Sequence, residues 1–271
     1  MIKRGRQCIF CTHKADSQEH IWSEWILRLV PEIDGTFIRK FSDGTIKRFS
    51  SRKPKLTLGM VCEHNCNNGW MNAKLEGPMK AATADIILQN KVKTFGKNEC
   101  AAIAAWAFKT TILANHMSLH GEPFFPVEQR RAFARDLTMP PGVHVWMARR
   151  DAGAFTATFW SERSTKQPAG ALMPHLKVPA SPYRFEMYVC VICVGYLLLQ
   201  VVAARWTDRK IANLLNSPTI SQGELFNDYS IPIWPYRSST VHWPPPRSVG
   251  NDLFNTFLNR FKTFNVPAWM S

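Results

Sequence analysis

Four of the seven cysteines in this 271-residue chain stand as two close pairs, Cys8-Ile-Phe-Cys11 and Cys62-Glu-His-Asn-Cys66. Two residues between partners let one turn carry both sulfurs to a single metal, and three remain workable. The set therefore fits the ligands of a tetrahedral structural zinc. His64, inside the second pair, could replace Cys62 or Cys66 as a ligand. The plain alternative is four reduced thiols without metal, but buried free cysteines seldom come as two such pairs. The odd total argues against a disulfide framework. The basic start Met1-Ile-Lys-Arg-Gly-Arg leads into Cys8 without the apolar stretch of an export signal, so a cytoplasmic location is expected.

The segments beside the cysteines carry the reactive groups. Glu19-His20-Ile21 follows the first pair, and Asn67-Asn68-Gly69-Trp70 follows the second directly. One zinc shared by both pairs would hold the two segments together. A carboxylate beside an imidazole, facing an amide oxygen, supplies hard oxygen ligands for a divalent cation and a base for water, the parts of metal-assisted phosphodiester hydrolysis. Each segment alone is commonplace: Glu-His is usually a solvated surface pair and Asn-Asn-Gly a turn or helix cap.

Together, Cys8-x2-Cys11, Glu19-His20-Ile21-Trp22-Ser23-Glu24-Trp25 and Val61-Cys62-x3-Cys66-Asn67-Asn68-Gly69-Trp70-Met71 to Glu76 resemble the zinc-anchored form of the HNH, or His-Me finger, endonuclease family. The likeness covers about the first 80 residues. It implies a small ββα-metal nuclease domain that cleaves phosphodiester bonds in nucleic acid, most readily DNA. By the resemblance His20 is the general base, and Glu19 and Asn67 are ligands of a catalytic divalent ion, Mg or Mn. Three positions depart from the pattern. Ser23 stands where many relatives carry proline, the second cysteine pair is spaced by three, and the next histidine after the helix start is His116. Asn72, on one helix face with Asn68, could stand in for that missing histidine.

Other candidate ligands are weaker. Cys190 and Cys193, three apart on an expected strand, face opposite ways and read as core cysteines. His116 and His120 are four apart but lack an acidic neighbour, and read as the end of a helix. The basic run Arg48 to Lys55 reads equally as a phosphate contact or a solvated loop.

The elements that must position these groups follow from patterning. Ile21 to Val30 is possibly helical, and Asp34-Gly35 and Asp43-Gly44 between apolar residues predict a β-rich insertion. Trp70, Met71, Leu75 and Met79 recur at helical spacing. Ala101 to Leu119 lacks glycine and proline and predicts a core helix. Strands are expected at 143–149, 154–160 and 185–205, a last helix at 249–261, and a proline-rich separator at 231–247. The reading is an α+β chain, with the nuclease domain at 1–80 and an α+β domain of unassigned role at 81–271.

Composition limits the classes. Hydrophobic residues at 45% and charged residues at 20% are globular usage, and disorder is excluded as the default. The apolar run Tyr188 to Ala204 is too short and too interrupted for a membrane helix, so no membrane partner is expected. A net charge of +14 favours a polyanionic partner such as DNA. A zinc-dependent nucleic-acid-binding module without catalysis is the main rival to the nuclease, and a zinc-built protein-interaction scaffold is the third reading.

Overall fold

Strand and helix alternate around the cysteine pairs. Ser17–His20 (β1) pairs antiparallel with Thr57–Val61 (β4), and the chain then enters a helix at Glu63–Glu76 (α2). Between the two strands lie a short helix at Glu24–Leu29 (α1) and a hairpin of Gly35–Lys40 (β2) with Ile46–Ser51 (β3). The β-rich insertion is thus present, although Asp34, Asp43 and Gly44 lie outside the described residues. The computed structural model describes residues 6–29, 35–40, 46–51, 57–117, 123–151, 157–164, 185–206, 228–236, 238–250 and 252–254.

The helical spacing that starts at Trp70 is met by two consecutive helices, α2 and Gly77–Gln89 (α3). They bury Met71, Leu75 and Met79 and leave Asn72 and Lys74 in solvent. Pro78 enters at the first turn of α3, where its missing N–H costs nothing. α2 is wound wider than an α-helix. The Asn67 N–H reaches the Cys62 carbonyl and the Gly77 N–H reaches the Asn72 carbonyl, both five residues back. Gly69 breaks the winding at φ −89°, ψ −114°. Only glycine suits that place, because a Cβ there would lie 2.6 Å from the His64 carbonyl oxygen.

Lys93–Phe95 (β5) leads into the longest of the described helices, Lys97–Met117 (α4), which is buried on every side from Ile103 to Ala114. Helices apolar all round belong in the centre of a molecule. α4 lies between the cysteine unit, where it meets β4 and α2, and a large antiparallel sheet. Val127–Asp136 (α5) follows.

The sheet is built from Val143–Arg150 (β6), Ala157–Ser164 (β7), Phe185–Val194 (β8), Leu197–Trp206 (β9) and Ser230–Trp234 (β10), in the order β10-β6-β9-β8-β7. The expected strand at 185–205 is two strands, turning at Gly195, whose φ of 53° suits glycine. Cys190 and Cys193 face opposite ways as strand geometry requires, Cys190 toward the helices and Cys193 into a second apolar layer with Trp146, Val191 and Val202. The proline-rich stretch is not merely a separator. β10 accommodates Pro232 on the sheet edge, Val241–Trp243 (β11) pairs with β5, and Ser248–Val249 (β12) runs parallel to β6.

The architecture is α+β, as expected. Residue 80 falls inside α3, and one continuous buried cluster runs from Cys8 through Trp106 to Ile192 and Trp243. Among the described residues, no helix is long and apolar enough to cross a membrane. Of the expected helix at 249–261, residues 249–250 and 252–254 are described: Val249 ends β12, and 252–254 are helical.

Candidate functional site

The sulfurs of Cys8, Cys11, Cys62 and Cys66 all lie within 4.8 Å of one another. Three of the sulfur–sulfur distances are 3.4 Å (Cys11–Cys62), 3.7 Å (Cys8–Cys66) and 3.7 Å (Cys11–Cys66). A tetrahedral zinc with bonds near 2.3 Å sets its ligand sulfurs about 3.8 Å apart, so the four thiols are placed to bind such a metal.

Two different local folds bring them there. Residues 6–15 turn back on themselves, with the Cys8 N–H on the His13 carbonyl and the Ala15 N–H on the Arg6 carbonyl. Inside that turn the Phe10 N–H points at Cys8 Sγ, 3.4 Å away. The second pair sits at the end of β4 and the first turn of α2, whose Glu63 N–H is capped by the Asp16 carboxylate at 2.9 Å. His64 is exposed and outside the sulfur cluster. His13, which the spacing argument passed over, is closer: its Nδ1 is 3.4 Å from Cys11 Sγ and 3.0 Å from Asn65 Nδ2.

The cluster is electrostatically primed. Contact with Cys66 holds the Cys8 thiol down at about 5 against its burial, with help from the backbone N–H groups of Phe10 and Cys62. Contact with Cys8 and burial push Cys66 up, and burial pushes Cys11 up to about 11. Metal binding would take these sulfurs as thiolates and displace their protons. Aromatic packing fixes the unit to the rest of the molecule: the Trp70 ring is 5.5 Å from Phe10 and 5.7 Å from Phe133 of α5. From the same helix Arg130 Nη1 donates to the Ile9 carbonyl at 2.6 Å.

The candidate catalytic residues flank this cluster on β1 and α2. Asn67, in the first turns of α2, donates from Nδ2 to Ser17 Oγ of β1 at 2.7 Å and to the Gln18 carbonyl at 3.4 Å. The two segments that one metal should join are therefore joined. His20 closes β1, opposite Thr57, and is partly exposed. Glu19 faces the other way. Its carboxylate is buried, and Oε1 accepts from Lys109 Nζ of α4 at 2.8 Å. Asn72 is exposed on α2.

Lys109 is the residue that sequence reasoning missed. It is fully buried and also donates to Glu76 Oε1 at 3.0 Å. Around Glu76 gather the indole N–H groups of Trp25, at 3.0 Å, and Trp106, at 3.1 Å, and the Trp106 N–H also reaches Ser23 Oγ at 3.0 Å. Ser23 is thus part of this network. Burial alone would raise the Glu76 carboxyl, but the Lys109 ammonium, with hydrogen bonds from Ser23, Lys109 and Trp25, holds it below the usual range. Burial would lower the Lys109 ammonium, and the charges of Glu19 and Glu76 raise it instead. A signal for it was present. Lys109 is the sole Lys, Arg, Asp or Glu between Ala101 and Leu119, and a charge on an all-apolar helix must find a partner inside.

The remaining candidates separate. His116 lies near the end of α4, where burial and then the Arg130 charge push it down to about 4, and its Nε2 is buried without a partner among the described residues. His120 and residues 52–55 of the basic run lie outside the described residues. No family model matches the chain, and no curated protein and no solved structure matches it either.

Proposed function

We propose that the chain is a divalent-metal-dependent endonuclease of the HNH type, acting on nucleic acid, most readily DNA, with a structural zinc in the four-cysteine cluster. The observation that carries this reading is the joining of β1, β4 and α2 beside the cysteine cluster, with the Asn67 amide hydrogen-bonded to the strand that bears His20.

In this reading His20, half open to solvent at the strand end, takes the proton from the attacking water. Asn67 spends its amide nitrogen on Ser17 and Gln18, which leaves its carbonyl oxygen as a hard ligand. A divalent ion, when bound, supplies charge stabilisation for the phosphate and the leaving oxygen. The resemblance would give Glu19 to that ion as well, but here its carboxylate is engaged by Lys109, and no metal role is assigned to it. The excess of positive charge, +14, suits a polyanionic substrate.

The test is cleavage of a supercoiled plasmid with Mg or Mn by wild type and His20→Ala, with zinc content measured in both. His20→Ala should keep its zinc and its thermal midpoint and lose about 100-fold or more in turnover, the usual scale for a positioned base. Wild-type cleavage by the variant rejects His20 as the base. Salt-sensitive DNA binding by wild type without cleavage moves the reading to a zinc-dependent binding module.

A further inference from the structure

Glu19 and His20 are neighbours on a strand, and neighbouring strand residues point to opposite faces. Glu19 is 6% exposed and faces α4, whereas His20 is partly open to solvent. The cation that Glu19 meets is the protein's own: Lys109 Nζ at 2.8 Å, itself 0% exposed. Glu76 binds the same ammonium at 3.0 Å, so one lysine of α4 ties β1 to the last turn of α2. Trp25 and Trp106 donate to Glu76, Trp106 also donates to Ser23, and the Trp106 ring stands 5.9 Å from the ammonium. Every described partner of these groups is thus supplied from inside the molecule.

We propose that Glu19 is engaged by Lys109 and not by a divalent ion, and that Lys109 is thereby the positioning residue that sets how β1 presents His20. The inference rests on reading His20 as the base. Two carboxylates already share this single ammonium, so a divalent ion at Glu19 would compete with the lysine and, at the oxygen the lysine holds, would have to displace it. That lysine is anchored on a helix buried all round, which opposes such displacement. Pulling Glu19 inward fixes the pleat of a four-residue strand, and with it the outward turn of the next side chain.

The two roles for Glu19 make opposite forecasts. Glu19→Gln keeps an oxygen that can accept from Lys109, whereas Lys109→Met removes the tether and frees both carboxylates. If Lys109 positions His20, Glu19→Gln keeps the metal requirement of cleavage within about twofold of wild type. Lys109→Met then loses about tenfold or more in kcat with KM unchanged, the scale of a misplaced catalytic group. Lys109→Met also moves the imidazole Hε1 NMR signal of His20, assigned by its loss in His20→Ala, while Glu19→Gln leaves it in place. If instead Glu19 is a metal ligand, Glu19→Gln raises the Mn concentration needed by roughly tenfold or more, and Lys109→Met lowers it by freeing the carboxylate. Either of those results overturns the proposal, as does an unmoved His20 signal in Lys109→Met. Should Lys109→Met fail to fold, the Mn titration of Glu19→Gln decides alone. Should wild type cleave nothing, the nuclease reading fails, and the His20 signal in the folded variants still decides whether Lys109 sets its position.

Discussion

A side chain at position 69 has nowhere to go. The wide winding of α2 brings the His64 carbonyl to 2.6 Å from where a Cβ would sit, and backbone, unlike a flexible side chain, yields little. Gly69→Ala should therefore cost about 1–3 kcal/mol, the range for forced overpacking, read as a lowered denaturant midpoint with the slope unchanged. His64 stands between two of the clustered cysteines, so the same variant, loaded with metal, should also give it up at a lower chelator concentration than wild type. At this scale the sequence was readable where chemistry is local. The two cysteine pairs declare themselves because each is closed by one turn, and the Asn67 position follows from the second pair within one residue. What was hidden depends on distance along the chain. The lysine that engages Glu19 lies 90 residues away, and 33 from Glu76, and no spacing rule connects such positions. Only the oddity of one charge in an apolar helix pointed to it.

Among the elements, α4 and α2 meet through that buried charge set, and its acid behaviour follows from its signs. Glu76 titrates below its ordinary 4.5 in the folded chain, so its contribution to stability is complete above that value and is lost as the pH falls through the folded value. Glu76→Gln should remove this dependence. Between pH 5 and 3 the thermal midpoint of the variant should fall less than that of wild type, although at pH 7 the variant is less stable by about 3–5 kcal/mol, the cost of breaking a buried pair. Scanning calorimetry across that range measures both effects. A steeper acid fall in the variant would contradict the assignment of charge. Element types were legible from periodicity: the core helix expected at 101–119 is α4 over its described part, 101–117, and the apolar run at 188–204 is strand on either side of a turn. Their boundaries were less so. The turn at Gly195 divides one expected strand in two, and the proline-rich stretch pairs with distant β5 and β6, which local patterning cannot foresee.

On the scale of the whole molecule, the cysteine unit and the helix-facing side of the large sheet share one core, while the sheet's other face packs a second apolar layer. α4 is buried against both, and the apolar cluster that begins at Cys8 continues through Trp106 to Ile192. Melting is then a collective event. A helix shared by two halves cannot lose one of them and stay folded, so the free energy of metal binding should be distributed over the entire cluster. Stripping the metal with a chelator is expected to lower a single calorimetric transition as a whole, and the near-ultraviolet circular dichroism of the sheet's Trp146 should vanish at the same temperature as that of Trp70 beside the cysteines. Separation into an early and a late transition would show that the two halves unfold independently. If they melt as one, a metal taken up at one end of the molecule governs how long the far edge of the sheet survives heat, proteases and dilution.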